Sequence, residues 1–308
     1  MESWIDSYFE FLTEADIETA QREALALKRK NFPKALYRFR SLERLSYILD
    51  ELRKGYVYLS DPANFNDPYD SALSISWEQA WKQAIEEILP EYGYDPKFVE
   101  PLKEKQSEYE QQAFESFVGG ILSLSYGPSA SPDLFSRFRE NLVGVSCFAT
   151  NPNSVVMWSH YANQHTGICI EFSGATMLSS AKFLELLHPV RYTENFLDVF
   201  RLFWLSPADI YQVRFDVLPI LAACRKSEDW KYEEEWRLAS LPLSDDRKFS
   251  LDSCGIKPSR IILGAKIDQP NRAAITELAE KISIPVVNAR LANSRKSLRR
   301  RRTTTPIP

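Results

Sequence analysis

The sequence predicts an α+β fold in which a mixed or antiparallel sheet, assembled from segments far apart in sequence, is flanked by helices. Apolar residues recur at helical spacing in some segments and form short runs in others, and both patterns alternate irregularly along 308 residues. Hydrophobic residues make up 44% and charged residues 26% of the chain, which is ordinary for a globular protein and excludes a disordered chain or a coiled coil.

Composition and periodicity predict three divisions of the chain. Residues 1–34 form an N-terminal helical segment, and residues 35–289 form a single α+β domain with a helical insertion at about 76–140. Residues 290–308 form a tail with seven lysines and arginines and no acidic residue. Because the tail has few apolar residues to bury, we expect it to be disordered.

The first elements follow from helix-ending signals and short apolar runs. Residues 15–30 predict a helix, because they end in basic side chains that suit the C-terminal end of a helix dipole. A strand is expected at 35–39. Apolar residues then recur at helical spacing over 42–52, and Gly55 ends this helix. Another strand is expected at 56–59.

The remaining elements alternate short strands with helices. Helical periodicity predicts helices at 76–89, 97–124, 154–162, 207–226 and 270–282. Apolar or alternating runs predict strands at 143–148, 166–172, 188–192, 231–238, 259–263 and 284–287.

Charge, cysteine spacing and hydropathy together indicate a cytoplasmic protein without a membrane segment. The net charge is −4, but outside the tail the chain carries 31 basic and 42 acidic residues, which does not favour a general nucleic-acid binder. The tail at 290–308 is compatible with contact to a polyanion such as RNA, or it serves only as a solubilising terminus. The four cysteines are widely spaced, so we interpret them as reduced thiols. No apolar run approaches the ~18 residues of a membrane span, and the N-terminus lacks a secretory signal.

The first candidate motif is the strand LYRFR at 36–40. Alternation places Arg38 and Arg40 on one face of the strand and Tyr37 and Phe39 on the other. A guanidinium among aromatic side chains suits a phosphate or carboxylate ligand. The alternative is a row of solvated arginines on an edge strand.

The second motif is the loop NFNDPYD at 64–70. Its functional interpretation is a loop over a ligand, in which Asn66 or Asp67 bonds a hydroxyl or an amide. Because Asn and Asp side chains also bond their own turns, a self-bonded turn is the equally weighted alternative.

The third motif joins a strand, a short helix and a second strand. In a helix over 154–162, Trp158 and Tyr161 share one face beside His160. Ser146 lies on the preceding strand, and Glu171 interrupts the apolar strand that follows, where a carboxylate is either on the solvent face or functional. Nearby thiols give only a weak indication of zinc, so a core histidine is preferred and no metal is expected.

The fourth motif runs from Lys226 through Trp230 to Arg237. Taken as a strand, it places Glu233, Glu235 and Arg237 on one face. Paired carboxylates beside a cation can stabilise positive charge or accept a proton. The alternative is an acidic edge strand that discourages aggregation.

Taken in order, these blocks resemble the bacterial domain of unknown function 2971. The resemblance extends from about Leu36 to Val287 and rests on the blocks YRF, NDPYD, SCF, MWSHYA, GICIEF, W-x-YE-x-EWR and IILG. The MWSHYA and W-x-YE-x-EWR blocks are its most specific parts. The family name implies no activity.

The order of cation, aromatic residue and glutamate is also similar to ADP-ribosyltransferase-like folds. That similarity implies a fold of this type, with a split sheet, and NAD as the substrate. It implies that Arg38, replaced or assisted by His160, holds the NAD phosphates or ribose and that Tyr161 stacks on nicotinamide. Glu235, with Glu233 as its partner, would bond the ribose 2′-hydroxyl and stabilise an oxocarbenium-like transition state.

The resulting expectation is an NAD-using enzyme that transfers or hydrolyses the nicotinamide glycosidic bond, as an effector in phage defence or a toxin pair. The alternatives are a nucleotide-sensing module without chemistry and an RNA-directed nuclease. The candidate catalytic residues are Glu235, Glu233, Tyr161 and His160. The candidate ligand-binding residues are Tyr37, Arg38, Arg40, Asn66, Asp67, Ser146, Trp158, Glu171, Lys226, Trp230 and Arg237.

Overall fold

The computed structural model describes residues 3–13, 16–67, 69–71, 73–74, 144–195, 197–198, 217–240 and 246–290. The predicted insertion at 76–140 and the basic tail beyond Arg290 lie outside the described residues. The chain divides into two compact units. Unit 1 comprises residues 1–27, 60–144 and 191–227. Unit 2 comprises residues 28–59, 145–190 and 228–308.

Helices and strands occur in both units. The helices of the described residues are α1 (Trp4–Thr13), α2 (Ile17–Lys30), α3 (Leu45–Lys54), α4 (Val155–His160), α5 (Gly174–Ser179), α6 (Ala181–Leu186), α7 (Leu218–Ala223) and α8 (Gln269–Lys281). The strands are β1 (Ala35–Arg40), β2 (Tyr56–Tyr58), β3 (Leu73–Ser74), β4 (Gly144–Ala149), β5 (Ile168–Ser173), β6 (Leu187–Pro189), β7 (Arg191–Tyr192), β8 (Leu197–Asp198), β9 (Arg225–Lys226), β10 (Glu235–Ser240), β11 (Lys248–Ser250), β12 (Pro258–Leu263) and β13 (Val286–Asn288).

A seven-stranded sheet with the order β13–β12–β5–β1–β4–β10–β6 forms the centre of unit 2. Strand β5 pairs antiparallel with β1 and β12, β1 with β4, and β10 with β6. Strands β12 and β13 run parallel. The α+β class is therefore confirmed, with a mostly antiparallel sheet and flanking helices assembled from segments far apart in sequence. The split sheet is not confirmed, since these seven strands form one sheet.

Helix α3 ends where the sequence predicts. Gly55 follows it with a left-handed φ of 62°, and its backbone N–H donates to the carbonyl oxygen of Glu51. Glycine adopts this conformation without the steric cost that a Cβ would add. Helix α8 also lies within one residue of its predicted bounds.

The predicted strand over 231–238 is wrong in its first half. Glu228–Glu233 form a short 3-10 helix instead. Glu234 then adopts a left-handed φ of 46°, which redirects the chain before β10 begins at the next residue. Glu233 therefore does not share a strand face with Glu235.

Two other segments differ from their predicted form. Residues 207–216 of the helix expected over 207–226 lie outside the described residues; α7 covers Leu218–Ala223, and Arg225–Lys226 form strand β9. The strand expected over 188–192 is interrupted at Val190, since β6 ends at Pro189 and β7 begins at Arg191. No helix in the described part of the chain is long and apolar enough to cross a membrane.

Candidate functional site

One face of the unit 2 sheet carries an aromatic core, and we call it the aromatic face. Its buried members are Phe39, Ala149, Met157, Trp158, Ala162 and Cys169. The partly buried residues packed against them are Tyr37, Tyr161, Tyr232, Ile262 and Ala289. Tyr37 lies opposite Ala149 on β4 and opposite Glu171 on β5, so these three side chains share this face.

Helix α4 is fixed against the aromatic face at its start and along its buried side. Ser154 caps the helix by accepting a hydrogen bond of 3.3 Å from a backbone N–H in the first turn. Trp158 Nε1 donates to Pro152 O at 2.8 Å, and the Trp158 ring packs edge-on against Phe39 with 5.3 Å between centroids. Trp158 is thus a core side chain that positions Tyr161, the residue following the helix.

The Tyr161 hydroxyl donates a hydrogen bond of 2.7 Å to Glu233 Oε1, and we call these residues the Tyr161–Glu233 pair. Glu233 is the last residue of the 3-10 helix before β10. Its side chain is buried, with the residue 2% exposed. Because a carboxylate removed from water needs hydrogen-bond donors, this contact stabilises both segments.

Further ring side chains lie beside the pair. The His160 ring is 6.3 Å from that of Tyr161 and 6.3 Å from that of Tyr232, in edge-to-face arrangements. Tyr232 Oη is 3.4 Å from His160 Nδ1, and the Trp230 ring is 6.0 Å from that of Tyr232. His160 is exposed and the other rings are partly buried, so this surface offers ring faces and edges to a flat ligand. We call the five residues, including Glu233, the aromatic site.

Glu235 is bonded by the guanidinium of Arg237. Arg237 Nε donates to Glu235 Oε1 at 2.9 Å, and Arg237 Nη2 donates to Oε2 at 3.0 Å. The residues are two apart on β10 and therefore share a strand face, and both are buried. The two charges neutralise each other inside the protein.

Glu171 on β5 collects donors from the neighbouring strands. Ser259 Oγ donates to Glu171 Oε1 at 3.1 Å, Arg260 Nη2 donates to Oε2, and Tyr37 lies opposite Glu171 on β1. Burial, followed by the charge of Glu171, raises the pKa of Tyr37 to about 12, so its hydroxyl remains a donor at neutral pH. The apolar pattern around Ser259 and Arg260 indicates only a buried strand, so the sequence does not predict either residue as part of a site.

Arg38 and Arg40 lie on the face of β1 opposite Tyr37. Arg38 Nη1 donates to Glu51 Oε1 at 3.2 Å, and Arg40 Nη2 lies 3.0 Å from Glu51 Oε2. Burial alone would raise the pKa of Glu51, but the two guanidinium groups outweigh that effect and lower it. Ser146 on β4 faces this same side, since it is three residues from Ala149; it is buried, and its hydroxyl has no hydrogen-bond partner in the structure.

The remaining candidates belong to unit 1. Asp67 is buried, and its Oδ1 accepts a hydrogen bond of 2.9 Å from the backbone N–H of Tyr69, which is the self-bonded turn weighed above. Asn66 is exposed in the same loop. Lys226 is buried with its Nζ 3.8 Å from Asp70 Oδ2.

The geometry of the described residues gives no support to the hypothesis of a metal site. Burial raises the pKa of the Cys169 thiol far above its ordinary value, which disfavours the thiolate that binds metals. Within the described ranges, no group of three His, Cys, Asp or Glu side chains is placed to hold a metal ion.

In a comparison with known protein families, one segment of the chain matches a family model. Residues 157–238 match the family model described as "Protein of unknown function (DUF2971)". The matched range contains both partners of the Tyr161–Glu233 pair and both members of the Glu235–Arg237 ion pair. No curated protein and no solved structure matches the chain.

Proposed function

Because the description of the family model that matches residues 157–238 names no activity, we propose a function from the chemistry of the aromatic site itself. In this proposal the protein cleaves the bond between nicotinamide and ribose in NAD and passes the ADP-ribosyl group to water or to an acceptor. The observation that carries the proposal is the hydrogen bond from Tyr161 to the buried carboxylate of Glu233, among half-exposed aromatic rings.

The ring side chains supply the surface for nicotinamide. In NAD the nicotinamide ring is flat and positively charged, so contact with the π face of an aromatic side chain stabilises it. Tyr161 and Tyr232 are partly exposed, and His160 lies at ring-contact distance from both. Such a cluster suits a flat cationic group.

Glu233 supplies the negative charge that the reaction needs. When the bond from C1′ to the ring nitrogen breaks, both electrons leave with nicotinamide, which becomes neutral, and positive charge develops on C1′. A carboxylate in a water-poor site stabilises that charge. The oxygen of water or of an acceptor then bonds C1′ and loses its proton to solvent, which completes the balance.

Glu233 is assigned this role in place of Glu235 because its carboxylate bonds a residue of the aromatic site. Glu235 is held by two N–H groups of Arg237, whose positive charge offsets that of the carboxylate. The Tyr161 hydroxyl, which donates to Glu233, orients its carboxylate beside the partly exposed rings.

The test is to incubate the full chain with NAD and to measure released nicotinamide by liquid chromatography. Glu233→Gln should lower the rate about 100-fold or more, in the range found when a transition-state charge is no longer stabilised. Glu277→Gln is the matched control, because Glu277 is an exposed carboxylate on α8 paired with Lys281. The protein's intact mass separates self-modification from hydrolysis. No release by the wild type, or equal rates for Glu233→Gln and the wild type, would overturn the proposal.

A second candidate, a nucleotide sensor without chemistry, is favoured by one observation. The carboxylate of Glu235, to which the ADP-ribosyltransferase similarity gives the transition-state role, is offset by Arg237. A sensor would bind NAD and return it unaltered. Titration calorimetry combined with quantitative recovery of intact NAD would identify this case.

A further inference from the structure

A bulge in β12 turns two consecutive side chains toward one carboxylate. The pairing of β12 with β5 shifts register between Pro258 and Arg260. Neighbouring residues of a regular strand point to opposite faces, yet Ser259 Oγ and Arg260 Nη2 both donate to the carboxylate of Glu171. Bulges re-aim side chains in this way and are frequent beside functional sites.

The sheet register places Arg260 on the aromatic face. Arg260 lies opposite Glu171, which in turn lies opposite Tyr37. Tyr37 packs against the same aromatic core as Tyr161 and Tyr232. Arg260 is therefore a cation on the sheet face that carries the aromatic site, whereas Arg38 and Arg40 lie on the other face with Glu51.

The guanidinium of Arg260 keeps donors for a ligand. Its side chain is 43% exposed, whereas that of Glu171 is 15% exposed. Arginine has five N–H donors in a planar fork, so its contact with Glu171 does not exhaust them. Arg260 Nε is buried without a hydrogen-bond partner in the structure, which costs free energy. A ligand oxygen that bonds the guanidinium and moves it toward solvent would remove this cost.

We propose that Arg260 binds a phosphate oxygen of the nucleotide whose ring lies on the aromatic site, with Glu171 as its positioning residue. This inference rests on the proposed function, since it takes the nicotinamide ring to lie beside Tyr161. Guanidinium groups form charge-assisted hydrogen bonds with phosphate oxygens in their own plane. The hydrogen bond from Ser259 fixes Glu171, and Glu171 then holds Arg260 in one orientation.

The test compares NAD with nicotinamide riboside, which has the same ring and ribose but no phosphate. By titration calorimetry, Arg260→Gln should weaken NAD binding about ten-fold and leave the binding of nicotinamide riboside unchanged. Arg260→Lys keeps the charge and should recover part of the loss. Arg53→Gln is the matched control, because Arg53 is an exposed arginine on α3.

Three outcomes would overturn the assignment of Arg260 as a phosphate ligand, and they differ in whether they also overturn the proposed function. Equal NAD affinity for Arg260→Gln and the wild type removes the role of Arg260 even if nicotinamide is released. An equal loss for NAD and nicotinamide riboside indicates a structural role. If the wild type binds neither compound and releases no nicotinamide, the proposed function itself fails and the assignment falls with it.

Discussion

Tyr161 Oη lies 2.7 Å from Glu233 Oε1, so the residue that follows helix α4 bonds the last residue of the 3-10 helix before β10. The two segments are 72 residues apart in the chain. Their contact holds a buried carboxylate beside a group of half-exposed rings, and both local stability and the proposed chemistry depend on it.

Tyr161→Phe should lower the free energy of unfolding by about 1–2 kcal/mol, because the ring is kept while a buried carboxylate loses a hydrogen bond. Urea unfolding measures the change. Tyr47→Phe is the control, since Tyr47 is 61% exposed on α3 and should leave the stability nearly unchanged. Equal stability of Tyr161→Phe and the wild type would show that the bond contributes nothing.

Arg237→Met should lower the free energy of unfolding by about 3–5 kcal/mol, because it removes the bidentate partner of the buried Glu235 carboxylate. Combining it with Glu235→Leu should recover part of the loss, since neither charge then remains uncompensated. Lys281→Met, which breaks an exposed ion pair on α8, should change stability little. A double variant less stable than Arg237→Met would contradict this explanation.

Stability should depend on pH through Glu51. In the folded protein Arg38 and Arg40 outweigh the effect of burial and hold the pKa of Glu51 below its ordinary value of 4.5. As the pH falls, the unfolded chain takes up the proton first, so the stabilisation is complete above the unfolded pKa and is lost as the pH falls through the folded pKa.

Urea unfolding of the wild type and Glu51→Gln across pH checks this dependence. The difference between their free energies of unfolding should be largest near neutral pH and should shrink below about pH 4.5. A difference that stays constant through the acidic range would contradict the lowered pKa of Glu51.

Gly167→Ala should destabilise the fold by about 1–3 kcal/mol, because overpacking forces the backbone to shift. A Cβ at Gly167 would lie 2.2 Å from the carbonyl oxygen of Arg40, where the loop after α4 approaches β1. Gly255→Ala is the control: its Cβ would meet nothing within 4 Å, and only its φ of 67° adds strain. Thermal unfolding should rank Gly167→Ala as the less stable variant, and the reverse order would refute the close approach.

Local geometry was sufficient to predict the faces of β1 and the end of α3. The register pairs Tyr37 with Glu171 and Arg38 with Ile170, which confirms that Tyr37 and Arg38 lie on opposite faces of β1. A strand has a side-chain period fixed by its backbone, so this inference needs no tertiary information. Gly55 likewise ends α3 through its own conformational freedom.

Contacts between distant segments could not be predicted in the same way. Glu51 is only a polar position in a helical pattern until α3 packs beside β1. Arg260 meets Glu171 through a bulge, and a register shift leaves no periodic signal in the sequence. The alternation of side chains along a strand predicted that Glu233 and Glu235 share a face. They do not, because the left-handed backbone of Glu234 redirects the chain between them.

The most direct test of the central claim is a double-mutant cycle on nicotinamide release from NAD. It compares Tyr161→Phe, Glu233→Gln and the double variant with the wild type. If Tyr161 acts through Glu233, the double variant should be no slower than Glu233→Gln alone. Losses that multiply in the double variant, or release that no variant changes, would contradict the account.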